Sequence, residues 1–309
     1  MTAALLIVLG VAAAGFGGEL FVRGAVALAM RMRIAPGIVG ATVVAFATSS
    51  PELSVGVNAA LEGAPEISLG DALGSNVVNV ALILGLALAL AGATPRRADL
   101  NRDLPVALIA PLITLGLAYD GTLSRVDGFI LLGCFVAWLA VTIRQAARER
   151  DATAGLLGET DRRWIARDAI AGLALLILSG RLIVLAAQDI GDALGWDTFT
   201  VGAVMVAIGT STPELATTIT ARLRGHDEVS VGTVLGSNIF NGLLIVGVAA
   251  VITPIRASGP ELWLAIAAGV LSLLLILPGR SDRLGRGRGV ALLLVYAVYL
   301  TALLTLHAR

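Results

Sequence analysis

Long uncharged apolar stretches recur along this chain, separated by short arginine-bearing connectors. Each stretch supplies the ~20 residues a helix needs to cross a bilayer. Backbone polar groups find no water in lipid, so such stretches must close their hydrogen bonds internally as helices. Ten segments are read, over 3–29, 36–61, 68–92, 104–120 and 126–146, then 166–189, 198–222, 229–253, 260–278 and 289–307. With 57% apolar and only 14% charged residues, soluble readings are excluded, and the expectation is an all-α polytopic membrane protein of ten transmembrane helices. The 22 acidic and 22 basic residues balance, and every basic residue is Arg, with no polybasic arm to favour nucleic acid as a partner. Cys134 stands alone in an apolar run, so neither a disulfide nor a thiolate metal cage is expected. The first segment carries Glu19 and Arg23 in place of a cleavage site and lacks a basic leader, so it reads as a span and not a signal peptide.

The arginines set the expected orientation, because basic residues in short loops stay on the cytoplasmic side. Seventeen of the 22 fall in alternate connectors, six of them between Arg144 and Arg167. The opposite set holds Arg125, Arg256 and Arg309, while Arg23 and Arg181 lie within spans. Both termini are therefore expected outside the cytoplasm, with the central connector, 147–165, inside. That connector divides the chain into a first five-helix unit, 1–146, and a second, 166–309.

Sliding the sequence against itself reveals one register, in which residue n matches residue n + 162. Between 39–85 and 201–247, 24 of 47 positions are identical without a gap. The match is strongest where it is polar: Thr48-Ser49-Ser50-Pro51-Glu52-Leu53 pairs with Thr210-Ser211-Thr212-Pro213-Glu214-Leu215, and Gly74-Ser75-Asn76 with Gly236-Ser237-Asn238. Two unrelated greasy helices would share Leu and Ala instead. An offset of five helices, an odd number, makes the second copy enter the membrane from the opposite side. The halves are thus expected to be inverted repeats that surround a shared midplane site, the plan of an alternating-access transporter.

The repeated clusters carry cation chemistry. Pro51 has no N–H and its ring clashes with the preceding turn, so the helix must kink there and release carbonyls such as that of Ala47. Thr48, Ser49 and Ser50 add hydroxyls, and Glu52 adds a carboxylate that is costly at that depth unless it faces a cation, a proton or a wet cavity. The second copy offers Thr210, Ser211, Thr212, Glu214 and the carbonyls around Gly209. An all-oxygen set of this kind suits hard cations such as Ca2+ or Na+. Ser75 and Asn79, like Ser237 and Asn241, are spaced i, i+4 on one helix face and can complete the shell. Asn76 and Asn238 point away from that face and suit interhelical hydrogen bonds, while Gly70, Gly74, Gly232 and Gly236 suit close helix packing. Asp71 precedes Ser75 by one turn on the same face and is a candidate accessory site residue, but its repeat mate is Thr233, which favours a place near an aqueous mouth. Glu19 and Arg181, at equivalent repeat positions, have the charges of an ion pair. His226 and His307 read as solvated, and neither pairs with an intramembrane serine for hydrolysis.

The duplicated Thr-Ser-x-Pro-Glu and Gly-Ser-Asn-x-x-Asn blocks resemble the alpha-repeats of the cation/calcium antiporter superfamily, and the chain is most similar to prokaryotic sodium/calcium exchangers. The resemblance implies that the second, third, seventh and eighth helices form a core around the cation positions, across which the first and sixth slide. It implies a Ca2+ position at Glu52, Glu214, Thr48 and Thr210. Flanking Na+ positions follow at the Ala45 carbonyl with Ser75 and Ser211, and at the Ala207 carbonyl with Ser49 and Ser237, while Asn79 and Asn241 line the middle. Many relatives carry Asp where this chain has Asn241, which removes one titratable group and speaks against potassium dependence. Resemblance also implies a prokaryotic plasma (inner) membrane, the lipid bilayer, Na+ and Ca2+ as partners, and neither cofactor nor enzymatic activity. A proton-coupled calcium or other divalent antiporter is the main alternative, although Pro-Glu in both halves resembles that branch less, because its motif places Gly-Asn before the acid. An ion channel using the glutamates as a ring, and an intramembrane hydrolase with paired acids, fit the inverted repeat poorly. No outer span carries a feature that marks an oligomer interface.

Overall fold

The computed structural model describes residues 3–31, 42, 45–95, 97–149, 165–223, 227–279 and 283–307. Helix α1 spans Ala3–Arg31. Helix α2 is in two pieces, Ala45–Thr48 and Ser50–Leu61. Helix α3 begins at Pro65–Val77, widens into a π-turn over Val78–Leu84 and ends in Gly85–Ala91. Helices α4, α5 and α6 are Arg97–Leu117, Arg125–Glu149 and Ile165–Leu194. Helix α7 runs through Thr198–Val201, a π-turn at Gly202–Val206, Ala207–Thr210 and Thr212–Leu223. Helix α8 joins Asp227–Ile239, a π-turn at Phe240–Ile245 and Val246–Ile252. Helices α9 and α10 are Pro260–Leu275 and Arg286–His307. Most of these bounds follow the apolar segments read from the sequence to within a few residues; α4 begins seven residues earlier than read, and the expected start of the second segment at 36 lies outside the described residues. The central connector, His226 and the side chain of Glu19 lie outside the described residues.

Five of the described helical stretches are long and apolar enough to cross a membrane: Pro65–Ala91, Leu100–Asp120, Arg125–Gln145, Ser230–Ile252 and Arg286–Leu306. Their burial separates centre from rim. In α3 and α8, 78% of the apolar window is buried within the protein, against 28% in α5 and α10, so the first pair forms the middle and the second faces lipid. Val290, Leu294 and Val298, four residues apart on α10, form an exposed apolar stripe that suits acyl chains and would be a liability in water.

Small residues let the central helices touch. A Cβ on Gly74 would meet the Ala203 carbonyl at 2.5 Å, and one on Gly70 would run into the carbonyl of Phe199, so α3 and α7 cross backbone to backbone. Gly232 behaves differently from its expected packing role, because a Cβ there meets nothing within 4 Å. Its side of α8 simply has no helix pressed against it among the described residues.

Peripheral helices are keyed to the centre by aromatic and polar contacts. Phe135 and Trp138 of α5 pack on Phe240 at ring separations of 4.9 and 5.9 Å, near edge-to-face. Trp138 Nε1 donates to Asp103 Oδ1 of α4 at 3.2 Å, and Arg102 neutralises the same carboxylate at 2.6 Å. Helix α1 lies along α6, where Ser179 Oγ donates to the Gly10 carbonyl at 2.8 Å. Helix α6 in turn rests on α2, since a Cβ on Gly180 would meet Ser54 Oγ at 2.5 Å. Arg181 lies 3.9 Å from Glu62 with both side chains largely exposed, a weak surface pair.

The helix ends are fastened in matching pairs. Thr253 Oγ1 donates to the Ala60 carbonyl at 2.9 Å, and Arg222 donates to the Ala91 carbonyl at 3.0 Å, residues related two by two by the 162-residue offset. A short ladder, β1 (Thr122–Leu123) against β2 (Ile255–Arg256), ties the start of α5 to the end of α8. The bridge between Ala93 and Leu284 does the same for α3 and α10.

Candidate cation site

Both repeated Pro-Glu blocks interrupt their helices at the same place. Ser49 (φ −85°, ψ 8°) separates the two pieces of α2, and Ser211 (φ −79°, ψ 9°) does so in α7. The breaks are kinks and not gaps: Ser49 N–H still donates to Ala45 O at 2.9 Å, Leu53 N–H to Ser49 O at 3.0 Å, and Ser211 N–H to Ala207 O at 3.1 Å. Proline forfeits its own hydrogen bond, and the expected result was an open carbonyl at Ala47. The structure corrects that, because Ser50 Oγ turns back and donates to the Ala47 oxygen. The Ala45 carbonyl also accepts the hydroxyl of Thr48 (3.3 Å) and is doubly hydrogen-bonded in this conformation, while the Ala207 carbonyl lies 3.4 Å from Thr210 Oγ1, whose single proton has the shorter alternatives Asp71 Oδ1 (3.0 Å) and Val206 O (3.1 Å). A cation approaching the Ala45 oxygen would have to turn Thr48 away.

The kinks bring the side chains of the two halves together. Glu52 and Glu214 are fully buried. Ser49 Oγ of α2 donates to Glu214 Oε1 of α7 at 3.2 Å, and Ser211 Oγ of α7 donates to Glu52 Oε1 of α2 at 3.3 Å. Each serine therefore serves the glutamate of the other half. Ser237 Oγ adds a second bond to Glu214 Oε1 at 3.2 Å and lies 3.5 Å from Thr48 Oγ1. Thr48, Ser49, Ser237 and Glu214 thus form one cluster, joined to Glu52 and Ser211 through the crossed pair.

Asparagines of α3 and α8 close the middle. Asn76 Nδ2 donates to the Asn238 carbonyl at 3.3 Å and Asn238 Nδ2 to the Asn76 carbonyl at 3.2 Å, the interhelical role read for them from the sequence. Asn79 Nδ2 donates to Asn238 Oδ1 at 3.2 Å, which leaves Asn79 Oδ1 without a partner. Neither side-chain atom of Asn241 has one. Both Asn79 and Asn241 sit in the π-turns of their helices, a feature that period-3.6 reasoning missed. The extra residue in each turn re-aims the side chains beyond it, and such turns gather at functional sites.

Of the two places read for Asp71, the structure gives the one beside Ser75. It is not near an aqueous mouth but fully buried, and its Oδ1 accepts from Thr210 Oγ1 at 3.0 Å and from Ser75 Oγ at 3.3 Å. The i, i+4 spacing with Ser75 was the signal, and its uncharged repeat mate, Thr233, concealed its weight.

A cation can be fitted to this donor set by its chemistry. Glu52 Oε2, Glu214 Oε2, Asp71 Oδ2, Asn79 Oδ1 and Asn241 Oδ1 are all buried acceptors with no hydrogen-bond partner. No described Arg pairs with either glutamate. Buried carboxylate oxygens left this way are costly unless positive charge reaches them. The atoms offered are all oxygen, the set that hard cations take. Among the described residues, no three carboxylate, imidazole or thiol groups converge on a single metal position. Each carboxylate instead has hydroxyls of its own: Ser49 and Ser237 on Glu214, Ser211 on Glu52, Ser75 and Thr210 on Asp71.

Comparisons with known proteins agree with this chemistry. The model of the sodium/calcium exchanger protein family matches residues 2–144 and 169–305. The inner membrane protein YrbG of Escherichia coli is 34% identical over 98% of this chain and 97% of its own. CaxA of Alkalimonas amylolytica is 31% identical over 97% and 98%. Among solved structures, the sodium-calcium exchanger NCX_Mj soaked with Na+ and Sr2+ superposes with a TM-score of 0.69 at 27% identity, covering 97% of this chain and 98% of that one.

Proposed function

Because this chain belongs to the sodium/calcium exchanger family and is an integral membrane cation/calcium antiporter, we propose that it couples inward movement of Na+ to extrusion of Ca2+ through one pocket built by both halves. The observation that carries the reading is the crossed pair Ser49–Glu214 and Ser211–Glu52, whose carboxylates are fully buried and each keep one oxygen without a protein partner. In this reading Ca2+ is held by Glu52 and Glu214 with Thr48 and Thr210. Sodium ions take the Ala45 carbonyl with Ser75 and Ser211, and the Ala207 carbonyl with Ser49 and Ser237, while Asn79 and Asn241 line the middle. Competition follows from sharing the two glutamates.

The architecture is read as ten spans in two inverted units, 1–146 and 166–309, with alpha motifs at 39–85 and 201–247 and the connector 147–165 in the cytoplasm. Contacts that recur under the 162-residue offset, such as Asn76 with Asn238, support that reading. Arginine placement supports both termini outside the cytoplasm of a prokaryotic inner membrane. Helices α1 and α6, packed as a pair against α2, are the moving unit. Carrying two bare carboxylates past a dry barrier is costly, so the pair moves only over a filled pocket and uncoupled leak is suppressed.

The test is 45Ca2+ uptake into proteoliposomes loaded with Na+, with external Na+ replaced by choline, beside vesicles that carry only a pH gradient. Uptake that requires the outward Na+ gradient is expected. Uptake driven by the pH gradient alone would assign the protein to proton-coupled exchange.

A further inference from the structure

The two halves of the pocket are not equivalent, and the difference lies at Asp71. In the second half Ser237 donates to Glu214 and lies beside Thr48. The repeat mates of these residues are Ser75, Glu52 and Thr210, yet Ser75 and Thr210 turn to Asp71 Oδ1 instead, at 3.3 and 3.0 Å. The mate of Asp71 is Thr233, whose buried hydroxyl has no partner. One extra carboxylate has been inserted into one half only.

Among the described residues that carboxylate has no charge partner. Asp71 is 0% exposed, its Oδ2 accepts no hydrogen bond, and no described Arg pairs with it. Two hydroxyl donors fall short of satisfying an ionised carboxylate removed from water. The two donors it does hold are residues placed in the cation pocket, so its free oxygen belongs to the same pocket. It does not converge with both glutamates on a single ion. One carboxylate with two hydroxyls suits a small monovalent cation better than a divalent one that needs several charged ligands.

We propose that Asp71 is a ligand of this pocket and the countercharge of the Na+ position on the Ser75 side, so that the two Na+ positions differ in strength. This rests on the exchange reading above. Asn at this position would keep an acceptor for Thr210 and Ser75, so Asp71→Asn removes charge while preserving the packing.

The experiment is 45Ca2+ binding to the purified, monodisperse protein with Na+ as competitor. In Asp71→Asn the Na+ needed for half-displacement rises about tenfold, the equivalent of about 1.4 kcal/mol, while Ca2+ affinity in Na+-free buffer changes about threefold or less. A fall of both affinities by the same factor, or no change in either, would overturn the assignment. Thr233→Asp, which supplies the mirror carboxylate, lowers the half-displacing Na+ and serves as the second variant should Asp71→Asn not fold; an unchanged curve there also counts against it. Wild-type protein whose 45Ca2+ is not displaced by Na+ would sink the exchange reading itself. Displacement in wild type with an unaltered Asp71→Asn curve would sink only the role of Asp71.

Discussion

Asn76 and Asn238, 162 positions apart, each donate a side-chain amide to the other's backbone carbonyl, at 3.3 and 3.2 Å. Both are buried where α3 passes α8, so these bonds fix the register of the two helices that hold Ser75, Asn79, Ser237 and Asn241. The two are not equal in load. Asn238 Oδ1 also accepts from Asn79, whereas Asn76 Oδ1 has no partner. Losing a buried hydrogen bond and stranding its mate costs about 1–3 kcal/mol. Asn238→Ala should therefore lower the thermal midpoint of the purified protein further than Asn76→Ala, and the reverse order in a thermal-unfolding series would count against this account of the crossing.

The contact of α3 with α7 depends on Gly70 and Gly74, whereas Gly232 of α8, the repeat mate of Gly70, meets nothing within 4 Å among the described residues. Gly74→Ala places a methyl 2.5 Å from the Ala203 carbonyl, with only backbone available to yield. Overpacking of that kind costs about 1–3 kcal/mol, and more where backbone must shift. Gly74→Ala is expected to lose folded protein in fluorescence size-exclusion, while Gly232→Ala elutes as wild type.

Gly180 lies where α6 meets α2, with Ser54 atoms 2.5 to 2.8 Å from a Cβ built there. If α1 and α6 are the moving pair, bulk at this point obstructs the passage and not the pocket. Gly180→Val should keep 45Ca2+ binding near wild type and slow exchange by about tenfold or more, an increase of about 1.4 kcal/mol in the barrier. Equal losses of binding and flux would show that the contact supports the pocket instead.

The helices and the polar clusters of the candidate site were legible because their signals are local. Pro51 and Pro213 announced the kinks now seen at Ser49 and Ser211, and apolar runs gave most helix bounds within a few residues. What escaped depends on relations between halves or on hydrogen-bond details. Nothing in the order Thr-Ser-Ser-Pro-Glu tells Ser49 to serve Glu214 and not Glu52, since that choice is made by how α2 crosses α7. The Ala47 carbonyl looked free because proline cannot donate to it, but a serine one position earlier can. The π-turns holding Asn79 and Asn241 have no periodic signature, because residues 80–91 and 242–252 are apolar on every face and a rotated face leaves no mark. Asp71 was discounted because its mate is Thr233, although that mismatch is where the halves differ.

The central claim is that Glu52 and Glu214 hold the transported Ca2+ together. It is tested most directly by Na+-gradient-driven 45Ca2+ uptake in proteoliposomes reconstituted with equal amounts of wild type, Glu52→Gln and Glu214→Gln. Each substitution keeps the shape and removes one charged ligand from a site with no described Arg to compensate. The account predicts that each variant alone reduces uptake at least about a hundredfold, the equivalent of about 2.8 kcal/mol. Uptake at the wild-type rate in either variant would contradict it.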